Sequence, residues 1–305
     1  MENNKKDVNP NVSKICMVCS AMCMGCVGLF VTFLSKYPIY TIVLLRGIFG
    51  TIFLTIFMLK SRSFNRDFIK ESIKMHWKAL IIVGFINALV IYFYFISITI
   101  CGYAIAAFLL YTGGIFVILF LIISKEEKVS KINIISFILA VIGVAIIMEF
   151  WSGAGFSYGA FFGLLSGLTL GLLIFLKKKI YNKRKKYDIN LKKSEGNFDL
   201  FLAWWPTFFM IFVFLPFGAN DLTKLTFSDL IFCLILGFFP TALAFFLYNV
   251  GVKNDKGGNI IILSYFEPIM ATINTVLFLK MYTIYTILGG VLILIANVIV
   301  LKYSK

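Results

Sequence analysis

Glu267 and Pro268 stand side by side in SYFEPIMATIN (Ser264 to Asn274), inside a run from Gly257 to Leu279 that is otherwise almost wholly apolar. On a helix, Ser264, Ala271 and Asn274 fall at −3, +4 and +7 from Glu267, so the polar and small side chains share one face. Proline has no N–H, so Pro268 frees the carbonyl of Ser264 one turn back, beside the carboxyl. A carboxylate facing lipid costs several kcal/mol, so that face points into a bundle or toward water. Glu267, Ser264 and Asn274 are therefore candidate substrate-binding groups, with Pro268 a candidate hinge; the simpler account is a kinked helix with a structural glutamate.

Arg46 is the other charge within an apolar run. It can pair with an acid, bind carbonyls at a broken helix, or snorkel outward. The cysteines in CMVCSAMCMGC (Cys16, Cys19, Cys23 and Cys26) have CxxC spacing, yet they lie on one helix. Ten residues rise about 15 Å, too far for four thiolates to meet one zinc ion, and no metal or cofactor is expected. His76 is the sole histidine, no HExxH or phosphate-binding glycine loop occurs, and the apolar runs hold no pair of carboxylates. An intramembrane enzyme is therefore disfavoured. A channel, which needs a continuous polar lining, is a more distant alternative.

Apolar residues form 60% of the 305, charged residues 14%, and mean hydropathy is +0.94. Such a chain folds in lipid, and only helices satisfy their own backbone there without closing a barrel. Ten runs are long enough to cross: roughly 15–34, 39–59, 79–98, 102–123, 131–149, 157–176, 199–217, 229–251, 257–279 and 283–302. Of the 29 Lys and Arg residues, 25 lie in alternate gaps and the tails, three (Lys36, Lys224, Lys280) in the other gaps, and Arg46 in a span. The positive-inside rule then puts both termini in the cytoplasm of a plasma-membrane protein. The net charge of +15 is accounted for by this topology and by anionic lipid at the cytoplasmic face, not by nucleic acid. Trp151, Trp204 and Trp205 read as interface anchors.

An offset of 154 aligns NALVIYFYFISITI (Asn87 to Ile100) with TALAFFLYNVGVKN (Thr241 to Asn254), and further on Tyr111 with Tyr265. Spans 3 and 4 thus match spans 8 and 9. Two units of five spans follow: a tail (1–14), a first repeat (15–149), a linker (150–156) and a second repeat (157–302) with a basic loop at 177–198. Five is odd, so the second unit enters from the opposite side. Inverted repeats are characteristic of secondary transporters, with substrate near the midplane. Asn87 and Tyr94, and their mates Thr241 and Tyr248, make two polar stripes two turns long, candidate walls of that site. Gly159, Gly163, Gly167 and Gly171 recur every fourth residue in span 6, a seam for close helix packing; Ser166 and Thr169 are the candidates there for ligand contact.

This ordered set resembles the drug/metabolite transporter superfamily, specifically its EamA-like members: VLLRGIFG with Arg46, AAFLLY opening span 4, GFFPTALAFFLYNVG in span 8 and LSYFEPIMATI in span 9. The resemblance implies a ten-helix bundle around a cavity lined by spans 1, 3, 4, 6, 8 and 9, a gate role for Arg46, and export of amino acids or other small metabolites. Span 4 carries Gly113 and Gly114 where the family often has proline, keeping a weak point there; Lys280 replaces the acid that often follows span 9, while Glu126 and Glu127 follow span 4. The expectation is an all-α membrane protein, monomer or homodimer, that exports or exchanges a small amino-acid or nucleoside-like molecule by alternating access. A multidrug or amphiphile exporter is the alternative.

Overall fold

A computed structural model of the chain describes residues 10–61, 64–125, 131–147, 149, 157–191, 198–252, 263–264, 266–279 and 283–303. Trp151, the 150–156 linker, Glu126, Glu127, Tyr265 and Lys280 lie outside the described residues. Among the described residues, ten helical rods follow one another in the order expected. Seven are long and apolar enough to cross a membrane; Ile134–Ile147, Phe266–Leu279 and Ile284–Ile299 are shorter apolar helices over the described residues.

Two rods outrun their apolar stretches. Span 3 is a helix from Arg66 to Cys101, 36 residues, and span 6 runs from Tyr158 to Leu191, 34 residues. At about 1.5 Å per residue each exceeds the roughly 30 Å of hydrocarbon, so both project past it on the basic side. Span 3 can begin early because the Asn65 side chain accepts the Asp67 N–H at 2.9 Å, capping it. It ends at Gly102, whose φ of +88° suits glycine and allows the next helix to start at Tyr103. The expected basic loop at 177–198 is thus helical as far as Leu191.

Spans 3 and 6 lie antiparallel along their whole length, with Gly159 against Cys101, Gly163 against Ser97, and Lys183 Nζ donating to the Met75 carbonyl at 3.4 Å. Gly167 and Gly171 continue the seam against Leu109, Thr112 and Gly113 of span 4. Ser166 and Thr169 donate to carbonyls of their own helix, Gly163 at 2.6 Å and Leu165 at 2.8 Å. Trp204 and Trp205 correct the anchor reading. Their indole N–H groups point inward, to Thr55 Oγ1 at 2.8 Å and the Leu80 carbonyl at 3.0 Å, tying span 7 to spans 2 and 3. A buried indole needs such a partner.

The contacts repeat under exchange of halves. Span 3 packs on 6 and 7 as span 8 packs on 1 and 2; span 4 meets 6 as span 9 meets 1; spans 2 and 7, 4 and 9, and 5 and 10 pack on their own mates. The mates run antiparallel: Gly143 approaches Ile293 while Ile147 approaches Gly289, and Gly50 approaches Thr207 while Thr41 approaches Gly218. An axis that exchanges antiparallel neighbours must lie across them, in the membrane plane. The fold is two inverted five-helix repeats.

Candidate functional site

Four spans depart from regular helix where they meet. Span 1 breaks between Pro10–Met24 and Val27–Phe33, and span 4 between Tyr103–Tyr111 and Gly113–Ile123. Span 8 carries a π-helical turn at Phe238–Leu243, and span 9 one at Thr275–Leu279. Irregular backbone at membrane depth survives only where protein or a cavity satisfies it.

Here side chains from neighbouring spans satisfy it, two of the three reaching across from the second half. Asn274 of span 9 donates to the Gly25 carbonyl at 2.7 Å, Tyr103 of span 4 to the neighbouring Met24 carbonyl at 3.2 Å, and Asn297 of span 10 to the Tyr111 carbonyl at 3.0 Å. Gly25 is required at the first break, because a Cβ there would sit 2.9 Å from the Glu267 carbonyl and hard against Met270. Asn274, expected to bind substrate, is thus engaged in holding span 1 against span 9.

The carbonyl that Pro268 frees has found its donor. The Tyr111 hydroxyl lies 2.9 Å from the Ser264 carbonyl and also 2.9 Å from Glu267 Oε2. Glu267 is 7% exposed. Across from it, Arg46 is 6% exposed and takes the broken-helix option among its three: Nε donates to Thr241 Oγ1 at 3.1 Å and Nη2 to the Pro240 carbonyl at 3.5 Å, both in the π-turn of span 8. Thr241 passes its own proton to Leu236 O at 3.0 Å. The guanidinium also sits 5.6 Å over the Phe95 ring. Arg46 and Glu267 lie within electrostatic reach of one another, yet each is held by groups other than its opposite. Between them the Tyr94 hydroxyl is buried without a hydrogen-bond partner. Its polar neighbour is the Tyr103 hydroxyl, which donates its own proton to the Met24 carbonyl and so offers Tyr94 only an acceptor.

Arg46, Tyr94, Thr241, Ser264 and Glu267 are therefore brought together. Tyr248 is half-buried and lies by Tyr181, toward the basic side, apart from this cluster. Asn87 is buried two turns from Tyr94. Gly113 packs against Gly167 and Leu170 of the span 6 seam, next to the half-buried Gly114. Sequence reasoning missed Tyr103, Tyr111 and Gly25. Tyr111 closes the AAFLLY motif just before the span 4 break, a signal that could have found it.

Opposite charges, buried apart in apolar surroundings beside an unpartnered hydroxyl, can receive a small polar molecule that bridges them. The EamA-like transporter family model matches residues 12–149 and 157–302, one copy for each half. An uncharacterized transporter of Archaeoglobus fulgidus is 26% identical over 279 residues, 91% of this chain and 92% of its own. A protein known from a crystal structure superposes with a TM-score of 0.59 over 97% of this chain and 100% of that one, at 13% identity, which speaks for the fold alone. The all-helical bundle, its duplicated halves and the two matches agree: this multi-pass membrane transporter belongs to the EamA-like transporter family.

Proposed function

We propose that the chain is a secondary transporter that exports or exchanges a small organic metabolite by alternating access, with both termini in the cytoplasm. The observation that carries this reading is the separated pair at the centre, Arg46 from the first half and Glu267 from the second. An α-amino acid is the favoured cargo: its carboxylate suits the fork of Arg46 and the Tyr94 hydroxyl, its ammonium suits Glu267 and the Ser264 carbonyl. The rings of Tyr94, Phe95, Tyr103 and Tyr111 also suit a nucleoside-like base.

Proton coupling has a specific basis. The Tyr111 hydroxyl has one proton and two acceptors at 2.9 Å. When it donates to Ser264, Glu267 is fully satisfied only by bringing a proton of its own and donating to the tyrosine oxygen. A bound ammonium replaces that proton, so substrate binding and proton release are linked at one carboxyl.

Reconstitution in liposomes with labelled amino acids and nucleosides tests the proposal. Saturable flux with counterflow is expected for at least one cargo. Flux that rises without saturation and shows no counterflow overturns it in favour of a channel, and chemical change of the cargo in favour of an enzyme.

A further inference from the structure

A second polar cluster lies at the end of the bundle away from the basic gaps, where the connection between spans 1 and 2 meets that between spans 7 and 8. Lys36 Nζ pairs with Asp229 Oδ1 at 2.8 Å, and the Tyr37 hydroxyl donates to Asp229 Oδ2 at 2.6 Å and approaches the Lys224 carbonyl at 3.1 Å. Thr41 Oγ1 donates to Asp221 Oδ2 at 2.8 Å. The lysine and hydroxyls come from the first half, both aspartates from the second. Tyr37, Thr41, Asp221 and Asp229 are all buried.

Each aspartate has a second set of partners within its own half. Asp229 accepts the Thr226 N–H at 2.9 Å and the Thr226 hydroxyl at 2.7 Å, the capping box that starts the helix Phe227–Gly237. Asp221 pairs with Lys224 Nζ at 2.7 Å. The contacts between halves can therefore break without orphaning either carboxylate, whereas a buried acid with one partner would resist separation. The helix that Asp229 caps runs directly into the π-turn holding Arg46, so one rod of 11 residues joins this cluster to the central site.

We infer that the Lys36–Tyr37–Asp229 and Thr41–Asp221 contacts are the extracytoplasmic latch of the transport cycle. They hold that face shut while the central site is buried. They part, each aspartate keeping its local partners, when the site opens outward. The inference rests on the alternating-access reading and on the charge bias for its sidedness, but its test needs no transported substrate.

Cys26 is half-buried at the span 1 break, its sulfur 3.7 Å from Asn274 Nδ2, and serves as a native reporter of the centre. In a chain with the other five cysteines changed to serine, a membrane-impermeant cationic methanethiosulfonate is applied separately to each face. Lys36→Gln with Tyr37→Phe removes cross-half partners and spares the helix cap. It is expected to raise the rate of Cys26 modification from the extracytoplasmic face by roughly ten-fold, the scale of a lost charge-assisted hydrogen bond, without a rise from the other face. Lys36→Arg, which keeps the cation and leaves Tyr37 and the Asp229 cap in place, is expected to hold the rate near that of the parent. An unchanged rate, an equal rise from both faces, no modification of Cys26 in any variant, or a rise in Lys36→Arg as large as in the double variant overturns the latch. Intact latch behaviour in a protein that carries no metabolite in liposomes would instead overturn the transport proposal alone.

Discussion

Two polar clusters sit in the same apolar bundle, and they are satisfied in opposite ways. At the far end Asp229 and Asp221 have partners on both sides, and Lys36, Tyr37 and Thr41 all find an acceptor. At the centre Arg46 and Glu267 do not bond to one another, and among the described residues the Tyr94 hydroxyl makes no close hydrogen bond, its polar neighbour being the Tyr103 hydroxyl. Leaving a buried donor unmade costs about 1–3 kcal/mol, while completing one gains about 1 kcal/mol. The first cluster thus stabilises the substrate-free protein. The second weakens it, and binding that completes it recovers the difference.

The contrast is broken most forcefully at Arg46. Arg46→Ala strands the Thr241 and Pro240 acceptors and removes the central cation; transport in liposomes is expected to fall by about 100-fold or more, the scale of breaking a buried charge contact. Retained transport would move the site elsewhere. Glu267→Gln keeps the shape and the Tyr111 contact but cannot titrate. Uptake driven by a pH gradient is expected to drop by about ten-fold and to lose its pH dependence, with insertion and folding unchanged; an unaltered pH profile would make the carboxyl structural. Gly143 lies outside both clusters, with the Gly289 carbonyl 2.7 Å from where its Cβ would be. Gly143→Val is expected to lower thermal stability in detergent by about 1–3 kcal/mol through overpacking, while the folded fraction still transports.

Two tyrosines sharpen the contrast. Tyr37→Phe deletes a hydroxyl bound to Asp229 and is expected to destabilise the substrate-free protein by about 1 kcal/mol. Tyr94→Phe deletes a buried hydroxyl without a close hydrogen bond and is expected to leave stability nearly unchanged while weakening cargo affinity a few-fold. Equal losses in both variants would erase the distinction. The smallest expected effect concerns pH at the latch. The hydrogen bond to Asp229 holds the exposed Lys36 ammonium above the usual lysine range. A raised folded-state value means its contribution is complete below about pH 10.4 and is lost only as pH climbs through the higher value. In the Glu267→Gln background, where the central carboxyl no longer titrates, Cys26 modification from the extracytoplasmic face, corrected for reagent chemistry, is therefore expected to stay flat from about pH 6 to about pH 9. A rise within that window would show that Lys36 is not what closes the face.

Much of this was legible in the chain, for physical reasons. A run of apolar residues with no room for exposed backbone declares a membrane helix, and a constant offset of 154 declares the duplication. The Glu267–Pro268 pair revealed both the buried acid and the freed Ser264 carbonyl, because helix geometry and the missing proline N–H are local. What periodicity does not encode is which helix faces the polar stripe. Tyr111 meets Glu267 across 156 residues, Asn274 meets Gly25 across 249, and Tyr37 meets Asp229 across 192. The latch was hardest to see: Lys36 and Asp229 look like ordinary ends of spans until the halves are folded together. Tyr248 shows the converse limit, since a matching position in the repeat did not carry it into the cluster of its mate Tyr94.

Spans 2, 4 and 5 each lie against their own counterparts, 7, 9 and 10. A single five-helix unit therefore already holds both sides of those contacts. Two separate copies, one inserted upside down relative to the other, would meet through the same surfaces. Joining such units end to end requires no new interface of this kind, only a linker and a fixed, opposite orientation in the membrane for each unit. Within one chain the halves need not carry the same residues at equivalent places: the first contributes Arg46 to the centre and the second Glu267.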